Sequence, residues 1–147
     1  MIEKYKSVIL NSKIILSQLK APKEVCKELI LTPCRPEKLD ISIEENKKLI
    51  EKISIITANK KECEKIFKTS DIEKCVEMYP NKLIVTLGKD GVMYHNGIKV
   101  VKMPALEIEE VKDTTGAGDT LNGNLAASII NKYTLKTLLL EGNMQQQ

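Results

Sequence analysis

Short apolar runs alternate along the chain with stretches in which apolar residues recur at helical spacing. The apolar runs are rich in β-branched residues and predict strands at residues 14–19, 53–57 and 83–87. The helical stretches predict a helix at residues 44–52, one after a turn at residues 58–62, one at residues 70–78, and one from residue 120 onward. Strands and helices that alternate in this way predict an α/β fold around a mainly parallel sheet flanked by helices.

The segment between the first two predicted strands carries a helix start. Ala21-Pro22 is typical of a first helical turn, where the missing N–H of proline does no harm. We expect Leu29 and Ile30 to lie on one side of this helix, before a strand end and a rigid loop at residues 31–36. The connection between neighbouring elements at residues 29–32 is therefore expected to be short.

Two short motifs predict local geometry further along the chain. Ser70 is followed three residues later by Glu73, which is the pattern of a capping box at a helix start. Asn96-Gly97 is the strongest short signal for a β-hairpin, and it lies between the apolar stretches 92–95 and 98–101. We therefore expect one hairpin after the last parallel strand.

Composition places limits on the class of protein. The chain has 147 residues, the size of one domain, and a net charge of +3 with its lysines scattered among the acidic residues. Aromatic residues make up only 3%. Nucleic-acid binding is disfavoured, because it usually requires clustered basic residues and stacking aromatics. We also expect no membrane partner and a cytoplasmic location, since neither a long apolar stretch nor a secretory signal pattern is present.

The cysteines and the single histidine give no metal or disulfide pattern. Cys26, Cys34, Cys63 and Cys75 are far apart and form no C-x-x-C pair, which favours free thiols in a reducing compartment. His95 lies beside the Asn96-Gly97 turn, so it is expected to be a hairpin residue rather than a catalyst or a ligand.

The most informative stretch is residues 113–120, with the sequence D-T-T-G-A-G-D-T ahead of an amphipathic helix. Its small residues let the backbone approach a ligand closely, and the free N–H groups and dipole of a helix start favour a negative charge. Asp119 would project from the first helical turn into that anion site, where a carboxylate is suited to take a proton from an attacking hydroxyl. The structural alternative is a capped turn in which Asp119 only stabilises the helix dipole.

These eight residues resemble the second signature of the ribokinase or PfkB family of sugar kinases, D-T-x-G-A-G-D. Two loops upstream resemble other family motifs in the expected order: Asn59 and Glu62 match N-x-x-E, and residues 86–91 match T-L-G-x-x-G. In isolation, either loop would be read as an ordinary turn. Together, the motifs imply a ribokinase-like fold and an ATP-dependent carbohydrate kinase that transfers the γ-phosphoryl group to a sugar or nucleoside hydroxyl.

The resemblance implies a role for each matching residue. Asp119 would be the general base, and the amides of Gly116, Ala117 and Gly118 would form an anion hole for the transferred phosphoryl group. Glu62 would hold Mg²⁺ through water, and Asp113 and Thr115 would bind a monovalent cation such as K⁺. The residues implied in nucleotide binding are Asn59, Thr86, Leu87, Gly88, Lys89, Asp90 and Gly91.

The resemblance extends from Ile14 to about Tyr133 and matches the carboxyl-terminal half of the family's fold. We expect residues 1–147 to be a partial kinase domain, truncated at both ends relative to the family and with a disordered tail at residues 141–147. The sugar-recognition motif has no counterpart, and the short connection at residues 29–32 suggests an internal loss. The alternative to a kinase is therefore a non-catalytic remnant that retains at most a nucleotide or phosphate pocket, and the partner alternatives are a homo-oligomer or a complementing chain.

Overall fold

A computed structural model of the chain describes residues 7–8, 11–18, 29–32, 44–105 and 116–131. Within them, six strands form one sheet whose order follows the order of the chain. The strands are β1 (Ile15–Gln18), β2 (Leu29–Thr32), β3 (Ile55–Asn59), β4 (Leu83–Thr86), β5 (Val92–His95) and β6 (Val100–Met103). β1 to β4 are parallel, whereas β5 and β6 are antiparallel to their neighbours. The predicted α/β fold with a mainly parallel sheet is confirmed, but β4 and β5 pair antiparallel as well as β5 and β6, so the described chain has two consecutive hairpins where one was predicted.

Helices cover the two faces of this sheet, since neighbouring residues of a strand point to opposite faces. The described helices are α1 (Glu44–Lys52), α2 (Lys60–Phe67), α3 (Ile72–Met78) and α4 (Ala117–Ile130). Leu83 and Val85 of β4 pack in a core with residues of α1, α2 and α3, whereas Ile84 packs on the other side with Leu121 and Leu125 of α4. Among the described helices, α4 packs on one face of the sheet and α1, α2 and α3 pack on the other, and α4 is held mainly by apolar contacts with its face.

The carboxyl end of α1 is closed by a lysine from the loop before β4. Lys82 Nζ donates to the carbonyl oxygens of Ile50 and Glu51 at 3.1 and 2.9 Å. A cation at this position satisfies carbonyls that lack helical partners and interacts favourably with the helix dipole. Partial burial lowers the pKa of Lys82, although the nearby Glu51 carboxylate opposes that shift. This contact joins α1 to the central strands.

The predicted helix position of Leu29 and Ile30 is wrong, because both residues lie in β2. Leu29 is paired with Ile15 of β1, and Ile30 is paired with Ile55 of β3, so β2 has a parallel neighbour on each side. Pairing on both edges outweighs the local helical spacing, which is a weak preference. The short connection expected at residues 29–32 is this strand. The helix start predicted at Ala21-Pro22 lies outside the described residues.

The capping box predicted at Ser70 is also wrong. The helix begins at Ile72, so that Asp71 is the N-cap and its Oδ1 accepts a hydrogen bond from Lys74 N at 3.0 Å. Aspartate caps a helix as well as serine does, and the start therefore moves by one residue. Ser70 is exposed.

The hairpin has a longer loop than the two residues predicted. His95 is paired with Val100, so residues 96–99 form the connection. Asn96 Oδ1 accepts from the backbone N–H groups of Ile98 and Lys99 at 3.0 and 2.9 Å, and Gly97 adopts a φ of 91°. The side chain of Asn96 thus takes the place of a strand partner for these two N–H groups, and the turn is longer as a result. His95 is a hairpin residue as predicted, since its Nδ1 accepts from Gly97 N.

Two of the four cysteines lie in the described part of the chain. Cys63 and Cys75 are buried free thiols, and burial raises the pKa of each thiol. Cys26, Cys34 and the tail predicted at residues 141–147 lie outside the described residues. In the ranges that the structure describes, every helix is too short or too polar to cross a bilayer.

Candidate functional site

The candidate site lies where β3 and β4 end. These neighbouring parallel strands place Asn59 beside Thr86, and carboxyl ends of parallel strands are where ligands bind in open α/β sheets. The start of α4 reaches the same place and contributes Gly118. Together these elements line a cavity of about 160 Å³ that is open to solvent, and its lining residues are Thr57, Ala58, Asn59, Glu62, Thr86, Gly118, Leu121 and Asn122.

Asn59 and Glu62 form a reciprocal capping box at the start of α2. Asn59 Oδ1 accepts from Glu62 N, and Glu62 Oε2 accepts from Asn59 N, both at 2.9 Å. The spacing of the N-x-x-E motif therefore has a local structural reason. Burial raises the pKa of the Glu62 carboxyl, and the hydrogen bond from Asn59 opposes this shift. A charged carboxylate that is partly removed from water is stabilised by a nearby cation.

The start of α4 is a second element of the site. Gly116 is the N-cap with a left-handed φ of 85°, and it makes no side-chain capping bond. The first helical bond runs from Thr120 N to Gly116 O at 2.8 Å. A Cβ placed on Gly118 would meet no atom within 4 Å. The space beside this helix start is therefore open to a ligand, and backbone N–H groups at such a position favour an anion.

The loop after β4 is held by its own backbone. Leu87 N donates to Gly91 O at 2.7 Å, and Gly91 N donates to Gly88 O at 3.0 Å around the 3₁₀ turn Gly88–Asp90. Gly91 has a φ of 89°, and a Cβ there would collide with the backbone of Met103. Gly91 is therefore required by close packing of β6, whatever it does for a ligand.

Thr57 and Asn122 form a buried side-chain pair in the wall of the cavity. Thr57 Oγ1 donates to Asn122 Oδ1 at 2.8 Å, and the two residues are only 3% and 6% exposed. Sequence reasoning missed this pair. The spacing of strand and helix residues is the signal that could have found it. Thr57 lies two residues before Asn59, on the same face of the strand, and Asn122 lies one helical turn after Gly118.

The structure brings together some of the residues predicted for the site and leaves others apart. Four of them line the cavity: Asn59, Glu62, Thr86 and Gly118. Asp119 is exposed on the first turn of α4, next to Gly118, and is not part of the cavity wall. Seven other predicted residues are close to the site in sequence but do not line the cavity: Gly116, Ala117, Leu87, Gly88, Lys89, Asp90 and Gly91. Asp113 and Thr115 lie outside the described residues.

The donor set suits a hard cation that keeps most of its water. The cavity offers one carboxylate, two side-chain amides and two hydroxyls, from Glu62, Asn59, Asn122, Thr57 and Thr86. Among the described residues, no group of three histidine, cysteine or acidic side chains is close enough to hold a metal ion directly. Mg²⁺ is commonly held by one or two carboxylates together with water and phosphate oxygens, so these residues fit it.

The raised pKa of Glu62 has a measurable effect on stability. The folded state favours the protonated carboxyl. The contribution of Glu62 to the free energy of unfolding is therefore fully present below the unfolded-state pKa, and it is lost as the pH rises through the folded-state pKa. Glutamine keeps the capping acceptor but does not titrate. Between about pH 4 and pH 7, we expect the free energy of unfolding of the wild type to fall relative to that of Glu62→Gln. The fall should be less than about 1 kcal/mol, because solvent screens a half-buried group. Urea unfolding of both proteins at both pH values measures this, and a pH-independent difference would contradict it.

Comparisons with known proteins place the whole arrangement in a family. The family model described as pfkB family carbohydrate kinase matches residues 14–144. The ribokinase of Lactococcus lactis subsp. lactis (strain IL1403) is 34% identical in an alignment 138 residues long, and the match covers 86% of this chain and 44% of that protein. The ribokinase of Bacillus subtilis (strain 168) is 32% identical in an alignment 141 residues long, and the match covers 88% of this chain and 46% of that protein. The chain thus spans less than half of the length of these two relatives.

The fold agrees with the same family. The structure of Arabidopsis thaliana ribokinase complexed with ribose and ATP superposes with a TM-score of 0.73 at 20% identity, over 97% of this chain and 51% of that chain. At this identity the likeness concerns the fold alone, which is ribokinase-like and present here in part. The resemblance that the sequence motifs indicate is confirmed by the family model and by both relatives. The chain belongs to the pfkB family of carbohydrate kinases.

Proposed function

We propose that this chain carries the phosphate-binding part of an ATP-dependent carbohydrate kinase, which transfers the γ-phosphoryl group to a sugar or nucleoside hydroxyl. One observation carries the proposal: two strand ends and two helix starts line a single cavity, through Asn59, Thr86, Glu62 and Gly118. Such an arrangement offers oxygen donors for a cation on one side and backbone amides for an anion on the other. Phosphoryl transfer depends on these two functions more than on covalent chemistry.

The size of the cavity favours one end of a nucleotide over the whole molecule. A volume of about 160 Å³ is below the ~300–1,000 Å³ of pockets that enclose a complete small ligand. We assign the cavity to the terminal phosphates and the loop at residues 86–91 to the region next to them. The choice of ATP is supported by membership of the family and by the Arabidopsis thaliana ribokinase, whose structure contains ATP. Because ATP is plentiful there, we place the reaction in the cytoplasm.

The start of α4 has two roles in this proposal. The amides of Gly116, Ala117 and Gly118 form the anion hole for the transferred group, and Asp119 is the general base. The acceptor hydroxyl loses its proton to the Asp119 carboxylate while its oxygen forms a bond to the γ-phosphorus and the bond to the β-phosphate oxygen breaks, releasing ADP. Asp119 is exposed, so an acceptor approaching from solvent is able to reach it.

Two cations complete the proposal. Glu62 would hold Mg²⁺ through water, and the metal would neutralise charge on the phosphate oxygens when bound. The charged form of Glu62 is disfavoured by burial, which a cation would relieve. Asp113 and Thr115 are proposed to bind K⁺ beside the anion hole.

Substitution of Asp119 by asparagine separates a kinase from a non-catalytic remnant. We expect the variant to bind Mg-ATP as the wild type does, because the anion hole is backbone, and to lose about 10²- to 10⁴-fold in phosphoryl transfer. Binding is measured by calorimetric titration, and transfer by ADP release with a panel of pentoses, hexoses and nucleosides. A remnant would bind Mg-ATP in both forms and transfer phosphate in neither, and transfer that survives in Asp119→Asn would contradict the base assignment.

A further inference from the structure

The hydrogen bond between Thr57 and Asn122 lies where the two parts of the site meet. Thr57 belongs to β3, two residues before the Asn59 cap, and Asn122 belongs to α4, three residues after Asp119. Both side chains line the cavity, and both are almost fully buried. The bond therefore connects the strand that leads to the proposed cation side with the helix that bears the proposed anion side.

Fold stability alone gives little reason for a polar pair at this place. Burying a hydroxyl and an amide costs desolvation free energy, and one hydrogen bond returns only about 0.5–1.5 kcal/mol of net stability. An apolar pair of similar shape is often neutral or stabilising. Around the pair, Leu121 and Leu125 already bury α4 against Ile84, Val92 and Tyr94. This bond is therefore a small part of what holds α4 on the sheet.

Direction is what the hydrogen bond adds. Apolar packing is non-directional and lets a helix slide or rotate by small amounts on a sheet. A bond of 2.8 Å between two buried side chains fixes one rotation and one axial position. On α4 this matters most at the first turn, because Gly116 supplies no side-chain cap that would hold the helix start to the rest of the protein.

We propose that Thr57 and Asn122 are positioning residues, whose hydrogen bond sets the distance from the start of α4 to the Asn59–Glu62 capping box. This inference rests on the proposed function. The amide of Gly118 would contact the terminal phosphates directly, and Glu62 would act on them through the Mg²⁺ that it holds by way of water, so an error in the separation of Gly118 and Glu62 affects both contacts. A misplacement of 1 Å is able to cost about 100-fold in such a site.

A double-mutant cycle tests the proposal. Thr57→Val and Asn122→Leu keep the shapes of the side chains and remove the donor and the acceptor. Each single variant takes away the other residue's partner in this bond and loses stability, whereas the double variant removes donor and acceptor together and recovers part of that loss. We expect each single variant to bind Mg-ATP at least about tenfold more weakly, and the double variant to bind as weakly as a single variant and no more weakly.

The alternatives give different patterns in the same cycle. If the bond is only structural, Mg-ATP binding recovers in the double variant together with stability. If the two side chains contact the phosphate independently, the two losses multiply in the double variant. Either result would overturn the proposal. Thr57→Ser, which keeps the hydroxyl, should retain binding, and Ser128→Ala is the matched control, since Ser128 is a buried polar residue of α4 that does not line the cavity.

A measurement without ligand keeps this inference separate from the proposed function. Amide hydrogen exchange at Thr120, whose N–H makes the first helical bond to Gly116 O, reports the order of the first turn of α4. We expect faster exchange in the double variant than in the wild type at equal global stability, and unchanged exchange would refute the positioning role. If the wild type fails to bind Mg-ATP, the proposed function fails, and the exchange rates still decide whether the bond positions the helix.

Discussion

Gly91→Ala should be the most destabilising single substitution in the loop after β4. A Cβ at this position would collide with Met103 O and would lie 2.6 Å from Ala105 N, and the backbone φ of 89° is unfavourable for any side chain. The atoms it meets are backbone at the end of β6, where Met103 is paired with Val92, so they cannot move without breaking the hairpin. We expect a loss of about 2–5 kcal/mol in the free energy of unfolding, measured with urea and circular dichroism.

Gly88→Ala is the matched control for this prediction. Gly88 lies at the other end of the same 3₁₀ turn and has a positive φ of 62°, but a Cβ there would meet no atom within 4 Å. Only the backbone strain of a left-handed residue remains, which costs about 1–2 kcal/mol. Equal losses in the two variants would show that the close approach to β6 is not what requires glycine at position 91.

Gly118→Asp should abolish Mg-ATP binding while the protein remains folded. The new side chain enters open space beside the cavity, and its carboxylate brings a negative charge to the place assigned to phosphate. Repulsion between like charges in such a contact costs several kcal/mol, so we expect affinity to fall by more than about 100-fold. An acidic residue in the first turn of a helix favours folding through the dipole. Calorimetric titration of Mg-ATP, with urea unfolding of both proteins, measures the two effects.

Gly123→Asp places the same charge on the same helix away from the cavity. Gly123 is exposed on α4, and a Cβ there also meets no atom within 4 Å. This variant should bind Mg-ATP with wild-type affinity. Gly118→Ala and Gly123→Ala show how much of the loss in affinity comes from the size of the new side chain and how much from its charge. Both variants replace a flexible helical glycine, but only Gly118→Ala narrows the cavity. Wild-type affinity in Gly118→Asp would mean that phosphate is bound elsewhere.

Local signals were sufficient for much of the fold. The helix at Glu44–Lys52 has the predicted bounds, and β4 follows from an unbroken run of β-branched and aliphatic residues. Leu29 and Ile30 could not be placed in this way, because pairing with strands on both sides decides their conformation and lies outside any local window. The length of the hairpin loop is decided by one side chain. Asn96 accepts hydrogen bonds from two backbone N–H groups that would belong to a strand if the turn were shorter.

The candidate site shows the same limit. Asn59, Glu62, Thr86 and Gly118 could be predicted to meet, because each belongs to a motif at a strand end or a helix start. The partnership of Thr57 with Asn122 spans 65 positions in the sequence, and neither residue carries a local signal that names the other. Which hydroxyl meets which amide depends on how α4 packs on the sheet, and that requires the folded structure.

The order of the strands has a consequence for how the protein is made. Each strand pairs with the one that precedes it in the chain, so the sheet is able to grow in the order in which the ribosome releases it. The strand ends that carry Asn59 and Thr86 emerge well before α4. A nascent chain therefore acquires a core before it acquires the helix start at Gly118, and the capacity to hold phosphate is expected to appear only when α4 docks.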